Sequence, residues 1–149
     1  MAKTVLAHGC FDLVHAGHIE HLRKAAALGD RLVVSVTSDR YVNKGPGRPL
    51  FPERERMVVI AALRFVDNVI LSDTGNAVSQ IMMVRPALYV KGPDYLDGDK
   101  TGNLALEKSA IESIGGRLVI VNNEIVYSST EIISGALLAK RIAQCEAGQ

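Results

Sequence analysis

Five short apolar runs alternate with five segments of helical pattern along these 149 residues, and that alternation constrains the fold more than any other feature. Thr4 to His8 reads as a buried strand closed by Gly9. Further strands are expected at Arg31–Thr37, Val66–Leu71, Ala87–Lys91 and Arg117–Val121. Between them, Ile19, Leu22 and Ala26 recur at helical spacing, which predicts a helix from Ala16 to Leu28, stopped by Gly29-Asp30. Pro52 to Leu63 has proline in its first turn followed by Glu53, a favoured helix start. Asn76 to Val84 is expected to turn Val78, Ile81 and Met82 inward. Leu104 to Ile114 is closed by Gly115-Gly116. A last helix starts at Ser128, with Ile132, Ile133, Ala136 and Leu137 apolar and Lys140-Arg141 near its end. Strands that alternate with helices require right-handed crossovers and a mostly parallel sheet. Leu32-Val33-Val34 and Val69-Ile70-Leu71 fit strands covered on both faces. The reading is one three-layer, doubly wound α/β domain over residues 1–149 with a five-stranded sheet, no linker and no internal repeat.

Composition removes several classes of function. The chain is 48% hydrophobic and 22% charged, as ordinary globular proteins are. No apolar stretch approaches the roughly 20 residues that span a bilayer, and the apolar run near the N-terminus is too short for a secretory signal. Cys10 and Cys145 lie far apart, which points to reduced thiols and a cytoplasmic location rather than a disulfide scaffold. The formal net charge of +1 offers no basic field for nucleic acid.

In such sheets ligands bind beyond the carboxyl ends of the strands. That rule selects the loops Gly9–His18, Ser38–Pro52, Ser72–Gly75, Gly92–Asn103 and Asn122–Thr130. The first holds an oddity, because all four histidines (His8, His15, His18 and His21) lie within the first 21 residues. His15 and His18 are three apart on one face of a first helical turn. Two imidazoles, a helix N-terminus and the turn amides converge there, a plausible cradle for phosphate, and Gly17 allows a close approach to the backbone. Metal binding by His15, His18 and His21 is a competing reading, without a compelling third ligand. Helix capping by His15 with a surface His18 is another. His8 and His21 read as structural, and Cys10 as a small residue in a tight turn.

Gly9-Cys-Phe-Asp-Leu-Val-His-Ala-Gly-His18 resembles the G-x-F-D-x-x-H-x-G-H signature of the cytidylyltransferase-like nucleotidyltransferases, and Ser128-Ser129-Thr130 resembles their S-T-T triplet, with serine in the middle. More of the chain resembles the nucleotidyltransferase domain of ADP-heptose synthase: Leu28–Leu32, Ser38-Asp39, Arg48-Pro49, Glu55–Met57, Val66-Asp67, Val90–Tyr95 and Ser128–Ile133. Glycerol-3-phosphate cytidylyltransferase is a more distant likeness. Between Tyr95 and Gly115 the chain carries a longer segment than the heptose enzymes, which leaves the acceptor open.

The resemblance implies a Rossmann-like enzyme that transfers AMP or CMP from ATP or CTP, with Mg²⁺, to a phosphorylated sugar and releases pyrophosphate. It implies that His15, His18 and Lys44 stabilise the charged transition state. Gly9, Cys10, Phe11, Asp12, Gly17, Lys91, Gly92, Asp94, Ser128, Ser129 and Thr130 would complete the nucleotide site. Arg48, Arg56 and Lys91 would meet the acceptor phosphate. Asp12 either orients its loop or a Mg²⁺-bound water, with the structural role favoured. From the residues alone, Glu53-Arg-Glu-Arg56 is a mixed-charge run that ordinarily faces solvent. The family also implies a homodimer. Alternatives are CDP-glycerol synthesis, another adenylyl- or cytidylyltransferase, a nucleotide-binding sensor without turnover, and a metal-binding regulator.

Overall fold

The computed structural model describes residues 1–93, 101–125 and 127–148. In chain order the elements are β1 (Thr4–Gly9), α1 (Ala16–Ala26), β2 (Arg31–Thr37), α2 (Glu53–Ala61), β3 (Asn68–Ser72), α3 (Val78–Val84), β4 (Leu88–Lys91), α4 (Asn103–Ser113), β5 (Arg117–Ile120) and α5 (Ser129–Ala147). A 3-10 turn, Asp39–Tyr41, interrupts the long loop after β2. The strands are ordered β3-β2-β1-β4-β5 and every pair is parallel. The order reverses at β1, so the loop leaving β1 opens at the topological switch point, where such sheets bind ligands.

Each central strand is buried on both faces, and successive side chains point opposite ways. Val5, Ala7, Leu32, Val34 and Val36 join Leu22 and Ala25 of α1 and Ile60 of α2 in one core cluster. Leu6, Val33 and Tyr89 join Ile81 of α3 and Ala110 and Ile111 of α4 in a second. The sheet is therefore the middle of three layers, as the alternation predicts.

Local patterning misjudged details of two helices, α2 and α3. Pro52 caps α2 rather than entering its first turn. Met82 is 46% exposed, and Gln80 takes an inward place beside Ile81. The helix begins two residues later than the pattern implied, and its neighbours, not its apolar content, decide which side faces the sheet. The apolar residues of α5 are also mostly outward: Ile133 is buried, whereas Ile132 and Leu137 are exposed. Among the described residues, no helix is long and apolar enough to cross a membrane.

Candidate active site

The turn after β1 is built around a helix cap made of histidine. His15 is the N-cap of α1, and its Nδ1 accepts the Gly17 N–H at 3.1 Å. His18 reaches back, and its Nδ1 accepts the His15 N–H at 3.2 Å. A backbone amide can only donate, so both Nδ1 atoms are acceptors and each neutral ring carries its proton on Nε2. The rings stack with centroids 3.9 Å apart. Two Nε2–H donors are thereby held side by side. Burial is the main cause that pushes His18 down to about 4, helped by His15, His21 and Lys44. Burial also lowers His15. Both rings are neutral donors near pH 7.

Gly17 is required by the protein itself. A Cβ there would lie 2.9 Å from the His15 ring and 3.1 Å from the Ile125 carbonyl. The close approach that the sequence suggested for a ligand is occupied by a histidine and a neighbouring loop. Gly9 is similar, since a Cβ would meet the Phe11 ring at 2.9 Å. Phe11 and Leu13 both hold φ above +50° (53° and 69°), a costly backbone for side-chain-bearing residues that tends to cluster at functional turns.

Asp12 is the clamp of this turn. Its carboxylate accepts Leu50 N–H at 2.7 Å, Phe51 N–H at 3.1 Å and Arg48 Nε at 2.8 Å. Burial pushes that carboxyl up, but the Leu50, Arg48 and Phe51 donors outweigh it and hold Asp12 below its ordinary value. The Asp12 and Arg48 side chains are 0% and 4% exposed. Arg48 is therefore no surface residue. Its Nη1 donates to Thr130 Oγ1 at 3.2 Å, while Nη2 is buried with no protein partner. Arg56 is 1% exposed, against the solvated face that its charge run suggested. It donates to Phe51 O (2.9 Å), Cys10 O (2.7 Å) and Asp39 Oδ1 (2.7 Å). Each of its three nitrogens meets a protein partner, and it braces the turn. Burial raises the Cys10 thiol, as suits an unreactive turn residue.

The second signature docks onto the first. Ser128 caps α5 by accepting Glu131 N–H at 3.2 Å, and Ser129 Oγ donates to Leu13 O at 2.8 Å. A cleft of about 220 Å³ results, lined among others by His8, Cys10, His15, His18, Lys44, Arg48, Gly92 and Ser129. A second opening at the start of α5 is lined by Lys44, Ser128, Ser129 and Thr130, and it shares His15 and His18 with the first. The two histidines thus stand where two compartments meet.

Four of the five loops selected from sequence converge here. Ser72–Gly75 does not, and residues 74 and 75 line a separate groove between α3 and α4. Lys91 is 5% exposed and lies 3.4 Å from Glu107, on the side of the sheet that carries α3 and α4. Glu107 also accepts Ala77 N–H and the Tyr89 hydroxyl, a buried junction that the sequence did not reveal. Asp94 lies outside the described residues. His8 bonds Ser35 Oγ at 2.5 Å, and burial followed by Lys91 pushes it down to about 3, in keeping with a structural role. Among the described residues no group of three His, Cys, Asp or Glu is arranged to hold a metal. Nδ1 capping also opposes ligation through Nε2, which needs the proton moved to Nδ1.

The profile of the family described as Cytidylyltransferase-like matches residues 6–135. The chain belongs to that family. It is 42% identical over 136 residues to the Bifunctional protein HldE of Gluconobacter oxydans (strain 621H), and 43% identical over 133 residues to that of Vibrio vulnificus (strain YJ016). Those matches cover 90% and 88% of this chain, which spans about a quarter (27%) of the length of these curated relatives. They agree with the resemblance to the nucleotidyltransferase domain of ADP-heptose synthase. A solved structure, the lipopolysaccharide core biosynthesis protein from Thermoplasma volcanium GSS1, is 31% identical with a TM-score of 0.68, covering 85% of this chain and all of that one. The Rossmann-like fold of this chain's five-stranded sheet is shared with that structure, and the family match supports a nucleotidyltransferase.

Proposed function

We propose that this nucleotidyltransferase moves AMP or CMP from ATP or CTP onto a phosphorylated sugar of the heptose 1-phosphate type. One observation carries the reading: the paired Nε2 donors of His15 and His18 stand at the junction of a deep cleft and the N-terminus of α5. An acceptor phosphate oxygen attacks the α-phosphorus, a P–O bond forms, the bond to the β-phosphate oxygen breaks, and pyrophosphate leaves. Two anions come together, so catalysis rests on positioning and on donors preorganised toward developing negative charge. His15 and His18 supply those donors. Lys44, exposed on its Gly- and Pro-rich loop, brings a mobile positive charge to both compartments. The α5 N-terminus, with Ser129 and Thr130, suits the β- and γ-phosphates. Arg48 lines the cleft and is assigned to the acceptor phosphate. Backbone groups of residues 9–11 and 92 border the nucleotide.

Mg²⁺ enters with the nucleotide as its metal complex. The fit of this chain to a resident ion is poor, because the Asp12 carboxylate is already taken by three donors. The reading extends to a cytoplasmic homodimer. The test is a pyrophosphate-release screen of ATP and CTP against heptose 1-phosphate and glycerol 3-phosphate with Mg²⁺. Turnover with a heptose phosphate is expected. Release only with glycerol 3-phosphate would move the chain to CDP-glycerol synthesis, and nucleotide binding without release from any pair would favour a sensor.

A further inference from the structure

Glu20 stands two residues after His18 on α1 and makes contacts that neither signature explains. Its side chain is 5% exposed. Oε1 accepts the Glu124 N–H at 2.6 Å and Lys24 Nζ at 2.9 Å, and Oε2 accepts the Ile125 N–H at 3.0 Å. Lys24 passes the link on, since Nζ donates to Asn122 O at 2.8 Å. The carboxylate therefore grips the backbone of residues 124 and 125, and the Lys24 bond to Asn122 is a solvent-exposed addition to it.

That stretch needs a grip. β5 ends at Ile120, and Val121 makes the last ladder bond, to Lys91 O. α5 does not begin until Ser129. The connecting segment supplies Asn123, Ile125 and Tyr127 to the wall of the deep cleft. It also runs against the histidine turn: Asn123 Nδ2 donates to Gly17 O at 3.4 Å, and the Tyr127 ring packs edge-on against His15 with centroids 5.7 Å apart. Hydrogen bonds that backbone amides donate to a carboxylate are roughly twice as strong as neutral ones.

We infer that Glu20 is a positioning residue for the nucleotide, holding the cleft wall that Asn123 and Ile125 supply at its working distance from the His15–His18 turn. This rests on reading the cleft as the nucleotide site. The histidine caps use Gly17 N and His15 N and do not pass through Glu20. Loosening Glu20 therefore weakens binding while leaving the donors that face the reacting phosphate in place. The inference separates Glu20 from an ordinary surface i,i+4 pair with Lys24, which would contribute little.

The test compares Glu20→Gln with Lys24→Met in the full chain. The glutamine keeps one acceptor and turns an N–H toward a backbone N–H. The lysine variant leaves both amide bonds of Glu20 intact. Glu20→Gln is expected to raise the KM for the nucleotide about tenfold, with kcat within about twofold of the parent. Lys24→Met is expected to change KM by no more than about threefold. Hydrogen exchange in the absence of substrate should show the Glu124 and Ile125 amides exchanging about tenfold faster in Glu20→Gln, with Val5 to Ala7 of β1 unchanged. Unchanged exchange at residues 124 and 125 overturns the inference, as does a fall in kcat at constant KM, or equal effects of the two variants. Calorimetry with ATP and with CTP keeps the two readings apart. A parent protein that binds neither removes the nucleotide site and this role together, whereas exchange alone then decides whether Glu20 holds the segment.

Discussion

Replacing Asp12 with Ala tests whether the histidine turn is held in place by a buried ion pair. The carboxylate is fully buried, and three donors converge on it from residues 48, 50 and 51. Its removal strands the Arg48 guanidinium, 4% exposed, with Thr130 Oγ1 as its remaining partner and Nη2 already unmatched. Breaking a buried pair from one side costs roughly 3–5 kcal/mol, because an uncompensated charge stays inside. For a chain of this size that corresponds to a fall in Tm of about 6–20 °C. The chain has no Trp, so urea and thermal unfolding are best followed by far-ultraviolet circular dichroism. The double variant Asp12→Ala, Arg48→Met removes both charges and should recover part of the loss, with a coupling of about 2 kcal/mol between the positions. Recovery is incomplete because the Leu50 and Phe51 amides still lack an acceptor. Turnover should be low in both variants, since the loop that carries Lys44 and Arg48 is no longer tied to the turn. A single variant costing less than about 1 kcal/mol, or strict additivity in the cycle, would refute the clamp.

Two further outcomes follow from the histidines. His18→Ala removes one Nε2 donor and one half of the capping pair. It should cut kcat by about 10²–10³-fold, as loss of a preorganised oxyanion donor does, and lower stability by about 1 kcal/mol, as loss of a cap does. Near-parental turnover in a folded His18→Ala protein would remove its proposed role. The second outcome concerns acid. His8 and His18 titrate at about 3 and 4 when folded and at 6.5 in the free side chain. Their folded values are depressed, so the unfolded chain takes up protons that the folded chain refuses, and stability is lost as pH falls. The loss should begin near pH 6.5 and continue to about pH 4 for His18 and about pH 3 for His8. Its limiting slope is roughly 1.4 kcal/mol per pH unit for each histidine, and His8→Asn should remove one share of it. Urea midpoints that stay level from pH 7 to pH 5 would contradict both buried neutral histidines.

The layer order of this protein is legible in its one-dimensional pattern. Period-2 and continuous apolar runs, separated by helical spacing and Gly or Asp stops, leave few alternatives to a parallel three-layer sheet. The two signatures are legible too, because a strand-to-helix turn with His15 and His18 on one face needs only local geometry. Side-chain charge pairing was not. Arg56 reads as one of four charged residues facing solvent, yet it is buried against Cys10, Phe51 and Asp39. Glu20 carries no signal of its own in the sequence, yet its oxygens meet amides more than 100 residues away. Nothing local distinguishes a solvated carboxylate from one that has found backbone donors across the chain.

By itself, then, the sequence determined the fold class, the strand-end location of the site and the chemistry of its donors, since these follow from short-range periodicity and residue type. The tertiary structure alone decided which charges are buried, and that Asp12, Arg56 and Glu20 hold the loops while His15 and His18 face the cleft. The physical reason is desolvation. A charged group's role depends on which partners replace its water, and in this fold those partners come from distant turns brought together only when the sheet forms.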